Sequence, residues 1–136
     1  MQVILDSGPL YAAFDLSDRH HEGALRFLHQ SEIGFITNLL VVAEVAFLLR
    51  HSPSNRAKFL KWIAANTEID AMTAADLPRI IVILEKYNDL RPDLADASLV
   101  ALSERIGTRR IATLDKDFDV YRMRRNQPFE NVFPRR

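Results

Sequence analysis

Short apolar runs alternate with longer segments of helical periodicity along this chain, and this alternation limits the folds open to it more than any other feature. Apolar residues that recur every three or four positions indicate helices, and short apolar runs between turn residues indicate strands. Strands that alternate with helices are joined by right-handed crossovers and pair in parallel. The pattern therefore predicts an α/β fold with a mainly parallel central sheet.

The predicted strands cover residues 1–5, 34–37, 68–72 and 110–114. Between them lie apolar or helical segments over residues 10–14, 21–30, 39–50 and 54–66, a helix from Thr73 or Asp76 to Tyr87, and a helix from Asp93 or Asp96 to Ile106. Gly107 is predicted to end the last helix, because glycine readily adopts the left-handed conformation of a helix terminus. The helix over residues 39–50 is apolar nearly all round, which predicts that it is buried on every side.

The length of 136 residues and the hydrophobic content of 48% match one ordinary globular domain, so we predict a single domain over residues 1–136. No apolar run reaches the roughly 18 to 20 residues that span a membrane, and no leader with a basic start and an apolar middle opens the chain. The absence of cysteine fits a reducing compartment. We therefore expect a soluble protein of the cytoplasm.

Four acidic residues interrupt or close apolar stretches: Asp6, Glu44, Asp96 and Asp115. Asp6 and Asp115 follow predicted strands, at the edge where parallel α/β sheets bind their ligands. An ionised carboxylate in such a place is costly unless a cation meets it. Oxygen ligands without any thiolate favour a hard ion, so the sequence predicts that these acids bind Mg²⁺ or Mn²⁺.

Each acid also has a simpler interpretation. Asp6 is of the type that forms a turn or caps the segment after it, and Glu44 has the alternatives of reaching solvent or pairing with Arg50. Asp93 and Asp96 both lie where the start of a helix favours negative charge. Asp93 follows a proline and is the better cap, which leaves Asp96 as the predicted ligand.

Asp115, Asp117 and Asp119 form an acidic cluster, for which a solvated loop is the commonest role, and only Asp115 closes a strand. Thr37 and Asn38 precede the helix that contains Glu44. They are able to offer oxygen or nitrogen atoms to a site, but helix capping is the favoured role for each.

Other chemistries have little support in this sequence. His20 and His21 are adjacent, but no third histidine stands at a ligand spacing. Ser7 and Ser98 lie outside any nucleophile motif, and no glycine-rich phosphate loop is present. Of the chemistries considered, the residues of this sequence support only metal-assisted chemistry.

Positive charge is concentrated in the last residues. Residues 120–136 carry five arginines and one glutamate, a net charge of +4 that leaves −4 for the rest of the neutral chain. The arginines are Arg122, Arg124, Arg125, Arg135 and Arg136. Guanidinium groups match phosphate geometry, so this segment is predicted to suit an anionic partner, although a short basic tail is often only solvated.

Four motifs together resemble the PIN-domain family, and within it the VapC-type toxins. They are Leu5-Asp6-Ser7-Gly8, Thr37-Asn38 with Ala43-Glu44-Val45, residues 94–102 (LADASLVAL) and residues 112–118 (ATLDKDF). The likeness spans nearly the whole chain, and its last two motifs are the most specific. This chain departs from the family pattern in Asn38, where Ser or Thr is common, and in the extra acids Asp93 and Asp117.

The resemblance implies a three-layer α/β/α fold in which Asp6, Glu44, Asp96 and Asp115 together bind Mg²⁺ or Mn²⁺. It implies an endoribonuclease, often a homodimer, encoded beside an antitoxin whose carboxyl-terminal segment occupies the acidic groove. Asp93 and Asp117 are candidates for supporting the metal ligands. An apolar helix face around Trp62 serves either a dimer or the core.

The resulting hypothesis is hydrolysis of RNA phosphodiester bonds, with Asp96 or Asp115 accepting a proton from water and Arg122 to Arg125 contacting the RNA backbone. One rival is a phosphoacceptor receiver domain, which fits poorly because Asp6 is followed by Ser7 and not by a second acid. Another is a PIN-like module that has lost activity and only binds RNA or protein. The presence of all four acids argues against it.

Overall fold

The computed structural model describes residues 1–134, and its centre is a five-stranded sheet in the order β3-β2-β1-β4-β7. These strands are β1 (Gln2–Leu5), β2 (Gly34–Asn38), β3 (Thr67–Asp70), β4 (Arg110–Ala112) and β7 (Glu130–Asn131). Every neighbouring pair in this sheet is parallel. The predicted parallel sheet is confirmed, and Arg135 and Arg136 lie outside the described residues.

Within residues 1–134, six α-helices flank this sheet. They are α1 (Ser7–Ala13), α2 (His21–Leu28), α3 (Leu39–Leu48), α4 (Pro53–Asn66), α5 (Leu77–Lys86) and α6 (Leu94–Ile106). Val3, Ile4 and Leu5 of β1 are all fully buried, although successive side chains of a strand point to opposite faces. Both faces of the sheet are therefore covered, which gives the three-layer α/β/α arrangement. Within residues 1–134, no helix is long and apolar enough to cross a membrane.

The first helix begins earlier than the sequence indicates. Ser7-Gly8-Pro9, which precede the segment predicted over residues 10–14, form the first turn of α1, and Asp6 is the residue that caps it. A Cβ atom at position 8 would lie only 3.0 Å from Cβ of Leu114. Glycine at this position thus lets the start of α1 pack closely against the segment that follows β4.

The prediction that the helix over residues 39–50 is buried on every side is wrong. Val41 and Val45 of α3 are fully buried, but Leu39 and Phe47 are 67% and 60% exposed. A helix that packs on its neighbours through one face leaves its other face to solvent, whatever its composition. An apolar surface thus lies open along α3.

The carboxyl-terminal residues form short strands that the sequence pattern does not indicate. β5 (Arg122–Met123) and β6 (Gln127–Pro128) make an antiparallel hairpin, and β7 joins the central sheet beside β4. Two-residue strands are too short to show a periodicity. Gly107, by contrast, ends α6 with a φ of +71°, as predicted.

Trp62 is partly buried and packs against the core. Its ring centroid lies 6.3 Å from that of Phe14 and 6.1 Å from that of Phe35. These contacts join α4 to the end of α1 and to β2. Of the two roles that the sequence left open for Trp62, the structure shows packing in the core.

Candidate active site

The acids of interest meet at the carboxyl edge of the parallel sheet. β1 and β4 lie side by side with Leu5 opposite Ala112, and the backbone N–H of Asp6 donates to the carbonyl of Ala112 at 3.0 Å. Asp6 and Asp115 therefore leave adjacent strands at the same edge. Glu44 comes from the middle of α3 and Asp96 from the first turn of α6.

Asp6 is a buried carboxylate with two hydrogen-bond donors. It accepts from the backbone N–H of Ser7 at 2.8 Å and from the hydroxyl of Thr113 at 2.6 Å. Burial raises the pKa of Asp6 to about 6, although these two bonds oppose the shift. Asp6 thus fulfils the simpler role of a helix cap, and it also places a carboxyl group that is costly to ionise at the edge of the sheet.

Glu44 does not pair with Arg50. The Arg50 guanidinium instead donates to the carbonyl of Phe47 at 2.8 Å and lies 3.8 Å from the centroid of its ring. Glu44 is half-buried and accepts from the Ser7 hydroxyl at 3.3 Å. Burial, and then the charge of Asp93, raise the pKa of Glu44 above its ordinary value.

Asp93 takes the capping role predicted for it. Asp93 caps α6 by accepting from the backbone N–H of Asp96 at 2.8 Å. Burial raises the pKa of Asp96 to about 8, and the charges of Asp6, Asp93, Asp115 and Glu44 add to this effect. Asp96 is therefore the carboxylate on which the negative charges of the other elements converge.

Thr113 connects two of the acids, and sequence reasoning missed it. Its hydroxyl donates to Asp6 and accepts from the backbone N–H of Asp115 at 2.9 Å. Asp115 in turn accepts from the backbone N–H of Asp117 at 2.9 Å. The signal available in the sequence was a hydroxyl residue two positions before a strand-end acid, a spacing that suits a local turn.

Polar side chains at the end of β2 join this strand to α3, α6 and β1. Asn38 caps α3 by accepting from the backbone N–H of Val41 at 3.2 Å, and its amide donates to the Ser98 hydroxyl at 2.9 Å. Thr37 was predicted to cap as well, but its hydroxyl donates to the carbonyl of Leu5 at 2.8 Å. Thr37 is therefore a link between strands, while Asn38 has the predicted capping role.

The rings of the paired histidines make hydrogen bonds to residues other than these acids. His20 accepts from Nε of Arg19 at 3.1 Å, and Nδ1 of His21 lies 2.8 Å from the carbonyl of Ala12. Each ring thus has a partner in the segment around α1. Neither is among the groups whose charges act on Asp96.

The carboxylate oxygens at this edge of the sheet suit a hard cation, but they do not form a complete metal-binding site. In residues 1–134, no group of three or more acidic or histidine side chains is arranged so that it could hold a metal ion as it stands. Mg²⁺ keeps several waters and commonly takes only one or two carboxylates from a protein. A divalent ion would relieve the repulsion between Asp96 and the neighbouring acids. The chemistry of these oxygen donors therefore fits a divalent ion.

A family model for the PIN domain matches residues 3–123 of this chain. The chain belongs to the PIN-domain family. It is 31% identical over 117 residues to a protein named Ribonuclease VapC26 from Mycobacterium tuberculosis, a match that covers 84% of this chain and 87% of the relative. This PIN domain is thus of the VapC type, as the four motifs indicated.

Two solved structures share the fold of this PIN domain. VapC20 of Mycobacterium tuberculosis, described as a toxin that cleaves the sarcin-ricin loop, superposes with a TM-score of 0.82 at 18% identity, over 97% of this chain and 99% of its own. VapBC2 from Rickettsia felis, solved bound to a DNA fragment from its promoter, gives a TM-score of 0.66 at 17% identity, with 96% and 98% covered. At these identities the likeness concerns the fold.

The raised pKa values predict how stability depends on pH without divalent ions. Asp6 and Asp96 have pKa values of about 6 and about 8 in the folded protein, against an ordinary value of 3.8. From the ordinary value up to about pH 8, the folded protein therefore binds more protons than the unfolded chain. Stability should then fall as the pH rises through this window. In EDTA, we expect a higher melting temperature at about pH 5 than at about pH 8.

Asp96→Asn should weaken this pH dependence and raise the melting temperature at the higher pH by about 4 °C, the effect of about 1 kcal/mol in a chain of this size. The control is Asp89→Asn, which neutralises an exposed acid in the turn after α5. It should keep the wild-type dependence. A melting temperature that increases from pH 5 to pH 8 in the wild type would contradict the assignment.

Proposed function

We propose that this protein is an endoribonuclease that requires Mg²⁺ or Mn²⁺ and acts as the toxin of a toxin–antitoxin pair. The observation that carries the proposal is the convergence of Asp6, Glu44, Asp93 and Asp115 on Asp96, whose pKa their charges and burial raise. The printed name of the relative, a ribonuclease, supports the same activity. The proposed metal ligands are Asp6, Glu44, Asp96 and Asp115.

In this proposal, Asp6, Glu44, Asp96 and Asp115 would hold Mg²⁺ or Mn²⁺, and the ion would supply polarisation of the phosphoryl oxygens and a lowered pKa for the attacking water. Thr113 and the N–H of Ser7 fix the orientation of Asp6, and the Ser7 hydroxyl restrains Glu44. Asp96 or Asp115 accepts the proton of the water.

The carboxyl-terminal arginines are less available to RNA than their number suggests. The Arg122 guanidinium donates to the carbonyls of Asp119, Val120 and Tyr121. Arg124 lies 3.6 Å from Glu104, a residue that also pairs with Arg79. Arg122 therefore stabilises the turn in which it lies, and the charge of Arg124 is partly balanced by Glu104.

We propose that RNA phosphates bind instead beside Asp115. A cleft of about 170 Å³ is lined by Arg19, His20, Leu114 and Lys116, without an acidic residue. Leu114 packs against Gly8, so this cleft lies next to the segment that carries Asp6 and Ser7. A cationic cleft beside an acidic site suits a polyanion whose scissile phosphate lies at the acids.

The remaining partners in this proposal are a second copy and an antitoxin. Apolar side chains are exposed on two helices: Leu39, Phe47 and Leu48 on α3, and Leu77, Ile81 and Val82 on α5. Such surfaces are typical of protein interfaces. We assign them to a homodimer, and we assign the acidic groove to the carboxyl-terminal segment of the antitoxin. The predicted single domain and cytoplasmic location are part of the same proposal.

The decisive experiment is RNA cleavage. Purified protein, freed of any co-purifying partner, is incubated with total cellular RNA and Mg²⁺ or Mn²⁺, beside EDTA, Asp96→Asn and the exposed-acid control Asp89→Asn. Mapping of RNA ends should show discrete cuts for the wild type and the control. EDTA should abolish them and Asp96→Asn should reduce them by ~100-fold or more. Returning the partner should stop cleavage.

Cutting that persists in Asp96→Asn would contradict the catalytic assignment. Metal binding without cleavage of any RNA would favour the inactive binding module, since the acids would then hold an ion without turning over a substrate. Absence of both would reject the proposal as a whole.

The cleft is tested by charge removal at opposite edges of the sheet. Arg19→Ala and Lys116→Ala should each raise KM for RNA and reduce the slope of log affinity against log salt by about one. Arg110→Ala removes an equal charge at the first residue of β4, the opposite end of the strand from Asp115, and should change neither. Equal effects at all three positions would indicate general attraction and contradict a defined cleft.

The homodimer is tested by light scattering. The wild type should show twice the chain mass of 15.6 kDa, and Ile81→Asp should return it to one chain. A charge on the exposed face of α5 is costly to bury, so it opposes association. Asp89→Asn, an exposed change in the turn after α5, is the control. A wild-type mass of 15.6 kDa would contradict the dimer.

A further inference from the structure

Tyr121 has the one buried side-chain polar atom without a hydrogen-bond partner among residues 1–134. Its side chain is fully buried, and its hydroxyl contacts neither a donor nor an acceptor at bonding distance. Buried hydroxyl groups in folded proteins are nearly always paired, because an unpaired one gives up its bonds to water without replacement. This hydroxyl therefore calls for an explanation other than packing.

The ring of Tyr121 has ordinary neighbours. Phe118 and Tyr87 contact it edge to face, with centroids 5.0 and 5.1 Å away. The Tyr87 hydroxyl, in the same cluster, accepts from the backbone N–H of Arg122 at 2.9 Å. The two tyrosines thus share an environment, and only one of them has a partner for its oxygen.

The surroundings of the hydroxyl are acidic. The pKa of Tyr121 is raised first by burial and then by the charges of Asp96, Asp117, Asp115 and Asp93, in that order. β5, which follows Tyr121 directly, packs on α6, the helix that carries Asp96 in its first turn. The unpaired donor therefore lies on the side of the acidic site, and Asp96 is the charge that acts on it most.

We propose that Tyr121 is a positioning residue of this site and that its hydroxyl donates a hydrogen bond to the carboxylate of Asp96 when a divalent ion gathers the acids. The inference rests on the proposed function. A bond from a neutral hydroxyl to a carboxylate is a strong one, and it fixes one oxygen while the other faces the ion. Residues that orient a ligand from behind in this way usually matter for metal affinity.

The test is Tyr121→Phe, which keeps the ring and removes only the oxygen. Titration with Mn²⁺ alone, followed by calorimetry, should show a dissociation constant raised by roughly 10- to 100-fold. Cleavage of RNA at a fixed Mn²⁺ concentration should lose kcat, while KM for RNA stays unchanged. Tyr87→Phe is the matched control, and it should leave the Mn²⁺ affinity as in the wild type.

A purely structural hydroxyl would behave differently. Tyr121→Phe would then raise the melting temperature equally with and without Mn²⁺, and its Mn²⁺ affinity would equal that of the wild type. That result would overturn this inference alone, because the wild type would still bind Mn²⁺ and cleave RNA. A wild type that neither binds Mn²⁺ nor cleaves RNA would overturn the proposed function and this inference together.

Discussion

The structure depends on a hydrogen bond between two buried side chains, the Thr113 hydroxyl and the carboxylate of Asp6. It joins the residues that follow β1 and β4, beyond Leu5 and Ala112, the last residues that pair between these two strands. The same hydroxyl receives the N–H of Asp115, so one threonine fixes the direction in which both acids leave the sheet. Loss of this bond would free two of the four proposed ligands at once.

Polar groups at the sheet edge serve both the fold and the site. Asp6 caps α1, Asn38 caps α3, Asp93 caps α6, and Asp115 accepts from the N–H of Asp117. Helix starts carry unpaired N–H groups, which carboxylates satisfy well. The simple capping role and the proposed catalytic role are thus compatible for Asp6. Asp96 is costly to ionise, because burial and the negative charges of four other acids act on it.

Much of the fold was predictable, and so was the set of acids whose charges meet at the candidate site. The strand and helix order followed from periodicity, and Asp93 was separable from Asp96 because a proline before it favours a cap. The exposed face of α3 was not predictable, since it depends on which neighbours the helix packs against. The strands β5, β6 and β7 were not predictable either, since each is only two residues long. Arg122 looked free in the sequence, but the turn that carries it uses its guanidinium.

The sequence by itself determined which chemical groups are available: carboxylates at the ends of apolar runs, no thiolate, and parallel strands that put Asp6 and Asp115 at the same edge of the sheet. These follow from local patterns and covalent order. Only the tertiary structure decided that Thr113 links two acids, that Glu44 meets Ser7 and not Arg50, and that the Tyr121 hydroxyl is buried without a partner. Contacts between residues far apart in the chain depend on how helices pack on the sheet, and packing is a property of the whole core.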